Sequence, residues 1–422
     1  MKHQVKIETL KNGARVLWID VPSAKYLICE FDFEAGYRYT RPEKYDLPHV
    51  LEHLFVTPKG WNEADFLSEL RKNGASYGAS TGDRHVTYSF QAPMFDWGRV
   101  MDLVISALNQ PKFEQEYFEK ELSIIEIELE DCLNRHARLM YPVYAQTTGM
   151  TALTYADRLK NLKNITLADI QAYYPQFFTT DNLDVVICGD LHQIKTQLKD
   201  KIEALKLPRG QRQQLLFERR HGGSHLVSKK DVQNIDFTFM SILDHEMTIR
   251  QNTAMGFALF ALFSSANSRI YSKAREQGIA YGVYSGRYNT DQSADFYIDA
   301  EVSHKHAPAL FKLIARELQK VVKTGFTEAE IERARQSILG NLSMEDVTPR
   351  GIYSFYRDRY WFFGELGDFN QYEQLVQSIT LDEVNQIARE FITSEKKVLV
   401  AVSDCEAEEI EKLGAVLGIA PV

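Results

Sequence analysis

The feature that most limits the possible folds of this chain is an internal repeat. Ile165-Thr166-Leu167-Ala168-Asp169-Ile170 is followed by Phe177, Thr179 and an apolar strand Val185-Val186-Ile187-Cys188 that closes on Asp190. The pattern returns as Ile379-Thr380-Leu381-Asp382-Glu383-Val384, then Phe391, Thr393 and Leu399-Val400-Ala401-Val402 closing on Asp404. Every pair is 214 residues apart (379 minus 165). A constant offset over some two dozen positions marks two copies of one domain, and 422 residues exceed a single ordinary core. Each copy opens with alternating strands, passes through long helices and ends with a helix, a buried strand and a last helix. That order predicts an α+β fold in which each mainly antiparallel sheet is covered by helices on one side. The expected division is 1–207, a polar Pro/Gly-punctuated linker at 208–224, and 225–422.

The first copy holds His49-Val50-Leu51-Glu52-His53. On a helix, positions i and i+4 share a face, so both imidazoles reach one ion from the same side, and Glu52 can approach its open position. The order His-x-x-Glu-His is the inverzincin signature. A third ligand is sought downstream in the acidic helical segment from Phe118 to Cys132. At about 100° per residue, Glu121 and Glu128 lie only about 20° apart, whereas Glu119, Glu126 and Glu130 point away. Two carboxylates on that face call for a compensating cation, either a metal or a basic side chain.

These residues resemble the pitrilysin and insulin-degrading enzyme family of zinc peptidases, in which a liganding Glu follows the motif by about 75 residues. Here 128 minus 53 is 75. The resemblance implies one zinc per chain held by His49, His53 and Glu128, with Glu52 catalytic and Glu121 behind the ligands. It covers essentially the whole chain, whose length matches the short branch similar to mitochondrial processing peptidase. Carried to the second copy at an offset of 213, Glu128 becomes Asn341, and no histidine occurs at 262–266, so that copy is expected to lack a zinc site.

The second copy is instead expected to supply Arg275 and Tyr281. Ser268-Arg269-Ile270-Tyr271 and Arg275-Glu276-Gln277-Gly278-Ile279-Ala280-Tyr281 resemble family segments whose Arg and Tyr bind the substrate carbonyl. A cationic fork and a phenol suit a developing oxyanion. Only five residues separate Arg275 from Tyr281 where the family usually has six, so Arg269 and Lys273 stay open for the Arg role. Gly78-Ala79-Ser80-Thr81 matches the family strand that pairs with substrate backbone, with Gly78 in place of the usual Asn. His85 reads as a surface or pocket residue.

The resemblance further implies a site completed by a partner, giving a homodimer or a heterodimer with a homologous subunit. A formal net charge of −9 argues against nucleic acid as a partner. No apolar run approaches a membrane span. Residues 1–7 lack a signal-peptide core, and Cys29, Cys132, Cys188 and Cys405 have no paired spacing, so a reducing, cytoplasmic location is expected. The expected function is a zinc endopeptidase acting on unfolded peptides in a closed chamber. The alternative is a catalytically silent peptide-binding or assembly subunit.

Overall fold

The computed structural model describes residues 1–147, 150, 152–212, 222–264, 267–289, 293–364 and 366–420. It forms two compact units, and neither is contiguous in sequence. Unit 1 is Met1–Asn134, Met150–Phe217 and Glu345–Asp358; unit 2 is Arg135–Gly149, Glu218–Met344 and Arg359–Val422. Besides the division inside 208–224, the units therefore trade two short segments. Residues 213–221 of the expected linker lie outside the described residues, and Pro208 to Arg212 are tied to unit 1 through Arg209–Asp181 and Arg212–Asp184 ion pairs.

Unit 1 contains β1 (Gln4–Thr9), β2 (Arg15–Asp20), β3 (Tyr26–Phe33), β4 (Ser76–Thr81), β5 (Val86–Pro93) and β6 (Leu183–Gly189), in the sheet order β1-β2-β6-β3-β5-β4. Unit 2 contains β7 (Gly223–Ser228), β8 (Asn234–Leu243), β9 (Tyr284–Asn289), β10 (Ala294–Ser303) and β11 (Lys397–Ser403), in the order β7-β11-β8-β10-β9. One parallel pair occurs in each, β2 with β6 and β7 with β11, and the other ladders are antiparallel. Among the described residues the two sheets match strand for strand, apart from β1 in unit 1. The repeated Thr has the same local role in both. Thr166 with Asp169 and Thr380 with Glu383 form capping boxes that satisfy the free N–H groups at the start of helices Leu167–Phe177 and Leu381–Thr393.

Alternation sets the layers. In unit 1, Leu27, Cys29, Phe31 and Phe33 of β3 and Val86, Tyr88, Phe90 and Ala92 of β5 point into the core beneath the helices. In unit 2, Phe237, Phe239, Phe296, Ile298 and Leu399 do the same. The opposite face of each sheet receives one of the traded segments. In unit 2, Met140 of helix His136–Thr147 packs on Met240, Ile242, Val398, Val400 and Val402. In unit 1, residues 349–358 lie at the sheet, where the Tyr353 hydroxyl donates to Glu30 at 2.6 Å and Arg357 Nε donates to Glu30 at 2.8 Å. No described helix is long and apolar enough to cross a membrane.

Candidate metal centre and peptidase site

Helix Leu47–Phe55 carries the paired histidines. Pro48 near its start fits the first turn, where a missing N–H costs nothing. Val50, Leu51, Leu54 and Phe55 are fully buried in the unit 1 core, which turns His49, Glu52 and His53 toward helix Gln115–Cys132. The imidazoles meet edge to face with centroids 5.0 Å apart.

Glu128 Oε2 lies 3.5 Å from His49 Nε2 and 3.6 Å from His53 Nε2. Bonds of about 2.0–2.2 Å to a tetrahedral zinc put ligand atoms roughly 3.3–3.6 Å apart, so the donor set fits that ion. Among the described residues, His49, His53 and Glu128 form one of two groups with potential ligand atoms within 4.8 Å of one another. Behind the ring, Glu121 Oε2 sits 3.0 Å from His53 Nδ1, which leaves Nε2 as the metal-facing nitrogen. Glu121 is buried, whereas the Glu128 side chain is 54% exposed and neighbouring Ile124 is 37% exposed. The glutamate face is therefore more open at its ligand end than the apolar pattern implied. Glu126 and Glu130 are exposed.

Electrostatics favour a cation here. Burial pulls the His53 pKa down, but the carboxylates of Glu121 and Glu128 outweigh it and raise the value to about 9. The Asp46 and Glu128 carboxylates likewise raise His49 against burial. Hydrogen bonding to both imidazoles holds Glu128 well below the usual carboxylate range. Burial raises the pKa of Glu52, the direction a general base needs. Thr81 Oγ1, at the end of β4, donates to Glu52 Oε2 at 2.5 Å.

Gly78, Ala79, Ser80 and Thr81 lie on β4, which among the described residues is an edge strand paired with β5 alone. A side chain at Gly78 would meet nothing closer than Ser89 Oγ at 3.9 Å, so packing does not demand glycine there. His85 stands half-buried just before β5. Its Nε2 is buried, and burial first, then the Arg84 charge, push its pKa down to about 3.

In unit 2, the Arg275 guanidinium lies 5.2 Å from the ring centroid of Tyr281 and donates to the Tyr271 hydroxyl at 3.0 Å. Tyr281 is 83% exposed and precedes β9, the edge strand of that sheet. Arg269 is engaged by Glu330 through two bonds, and Lys273 by Glu317. Of the three cations considered, Arg275 is the one beside Tyr281.

Sequence reasoning missed Asp46 and Arg158. Asp46 Oδ1 lies 3.4 Å from His49 Nδ1, and Arg158 grips Asp46 from 112 residues away. The one available signal was an acidic residue three positions before a histidine ligand candidate, on a helix where i and i+3 are neighbours.

The model for insulinase, peptidase family M16, matches residues 15–156, and the model for the M16 inactive domain matches residues 164–338. The chain belongs to the M16 peptidase family. Among M16 relatives, a protein of Rickettsia felis named as an uncharacterised zinc protease is 22% identical over 405 residues, covering 93% of this chain and 96% of that protein. The β subunit of mitochondrial processing peptidase from Dictyostelium discoideum is 25% identical over 215 residues, covering 48% and 45% of the two chains. The crystal structure of a Helicobacter pylori protease superposes with a TM-score of 0.82 at 17% identity, covering 95% of this chain and all of that one. That likeness shows the shared two-domain fold.

Proposed function

We propose that this M16 chain is a zinc-dependent endopeptidase that hydrolyses unfolded peptides. The observation that carries the reading is the convergence of His49, His53 and Glu128 on one point beside the buried Glu52. His49, His53 and Glu128 would hold one zinc, which when bound supplies an electrophile for water and for the scissile carbonyl. Glu52 takes the proton from the attacking water and delivers it to the departing amine; Thr81 orients the carboxylate for that transfer. The free edge of β4 pairs with the substrate backbone, so Ala79 and its neighbours recognise extended chain rather than particular side chains. Gly78 contributes no side-chain bond, which favours undemanding peptide selection. Tyr281 and Arg275 steady the oxyanion from the second repeat.

The enzyme we infer is a homodimer whose sites are completed in trans inside a closed chamber, with a heterodimer as the alternative assembly. Free cysteines at Cys29, Cys132, Cys188 and Cys405 support a reducing, cytoplasmic setting. The test is metal analysis combined with cleavage of a mixed unstructured peptide library, with and without a chelator. Zinc-dependent cleavage is expected. Peptide binding without turnover in the zinc-loaded protein would replace this reading with a silent binding subunit.

A further inference from the structure

Arg158, on helix Tyr155–Leu162, places Nε 3.1 Å from both oxygens of Asp46 and one terminal nitrogen 2.8 Å from the Tyr37 hydroxyl. Its guanidinium is ringed by Tyr37, Tyr155 and Tyr45, with centroids at 4.9, 5.0 and 5.5 Å. Asp46 is 1% exposed and Arg158 is 6% exposed. A buried ion pair pays heavily in lost hydration, and apolar residues of similar volume often serve a fold as well or better. The repeat supplies that comparison within one chain. At the 208-residue offset that relates β3 to β8 and the end of helix Leu47–Phe55 to the end of helix Ile249–Phe263, Asp46 falls at Ala254, and at the offset of 214 that relates helix Tyr155–Leu162 to helix Phe369–Ser378, Arg158 falls at Tyr372. The scaffold is built without the pair in unit 2, so folding alone does not require it in unit 1.

What unit 1 has in addition is His49. Its ring is buried, and Nδ1 has no aligned hydrogen bond among the described residues, although Asp46 Oδ1 stands 3.4 Å away. His53 meanwhile has Glu121 at 3.0 Å. We propose that Asp46, clamped by Arg158, is the positioning carboxylate of His49: it accepts a hydrogen bond from Nδ1–H and so fixes the tautomer and ring angle that aim Nε2 at the metal. Each histidine then has its own carboxylate, Glu121 held on the ligand helix and Asp46 held from the distant helix at 155–162. Arg158 acts through Asp46, setting how firmly the ion is kept, and touches neither ion nor substrate.

This inference rests on the zinc reading of the site, and the experiment separates the two. Zinc affinity of the full chain is measured by competition with a chromogenic chelator for the parent protein, Asp46→Asn, Arg158→Gln, Arg158→Lys and the double variant Asp46→Ala/Arg158→Gln, which like unit 2 carries neither charge. Each variant without the carboxylate should bind zinc about 10- to 100-fold more weakly, as loss of an outer carboxylate typically costs. Arg158→Gln should weaken binding too, and Arg158→Lys should recover part of the loss. The double variant removes both charges and should fold, so its weakened affinity would be a local effect. A double variant within about twofold of the parent would overturn the proposal, whereas a parent that binds no zinc would overturn the metal reading itself. Should the variants fail to fold, long-range ¹H–¹⁵N correlation on the zinc-loaded parent decides: His49 protonated at Nδ1 supports the clamp, and His49 protonated at Nε2 contradicts it.

Discussion

The two units solve one packing problem with different chemistry on the sheet face turned away from the helical core. At the register pair Asp32↔Asp184 in unit 1, unit 2 has Met240↔Val398. Met140 and Tyr353, 213 residues apart, lie on the traded helices; the first packs into an apolar cluster and the second donates to Glu30. The helices nearest the site diverge in the same direction. Phe257, Phe260 and Ala261 stand 208 residues beyond His49, Glu52 and His53, the spacing that relates β3 to β8, and Asn341 stands 213 beyond Glu128. Since one unit folds with apolar or neutral residues at these places, the charged set of unit 1 is additional to what the fold needs. Buried charge without a folding role points to chemistry.

The comparison can be sharpened first at Glu52. Glu52→Gln keeps the side-chain shape, so peptide turnover should fall by about 10² to 10⁴ while zinc content stays at the parent level. Full activity in this variant would remove the chemical difference between the units. Next comes Tyr281→Phe, which asks whether unit 2 contributes chemistry at all. The expected loss is about 10² to 10³ in kcat with zinc retained, as for a missing oxyanion donor. Mixing these two variants sharpens the point: if sites are completed in trans, exchanged dimers regain partial activity, and if they are completed in cis, no site escapes a defect.

A smaller pair of effects concerns the traded helices. Met140→Ala leaves a cavity in an apolar cluster and should cost about 2–5 kcal/mol of stability. Tyr353→Phe leaves part of the buried Glu30 carboxylate unpaired and should cost about 1–3 kcal/mol. Denaturant unfolding of each variant measures both, and equal losses would blur the contrast between an apolar and an ionic docking face.

Smallest is a pH effect confined to unit 1. The folded pKa of His85 is depressed to about 3, below the unfolded value of about 6.5, so the unfolded chain binds the extra proton in between. The contribution of His85 is present above pH 6.5 and is lost as pH falls from there toward 3, by roughly 1 kcal/mol at pH 5.5. His85→Gln should flatten that part of the stability curve, and an unchanged slope would contradict a neutral imidazole with an enclosed Nε2.

Much of this was legible before any coordinates, for identifiable reasons. The repeat was readable because capping boxes and buried strands are local and recur at one spacing. Helical periodicity reduced five glutamates to Glu121 and Glu128, although it overstated how deeply Glu128 is buried. The trade of segments 135–149 and 345–358 was not legible, because amphipathicity says that a helix has a buried face and not which sheet it covers. The Asp46–Arg158 pair and the Thr81–Glu52 bond were hidden likewise, since each joins residues far apart in sequence through tertiary packing alone.

The claim that metal chemistry resides in unit 1 alone is tested most directly by counting zinc per chain in the parent, Glu128→Asn and Tyr281→Phe proteins. Glu128→Asn installs the residue that unit 2 carries at the same repeat position. The account predicts one tightly held zinc in the parent, none in Glu128→Asn and one in Tyr281→Phe. Two zinc ions in the parent, or a tightly held zinc remaining in Glu128→Asn, would contradict it.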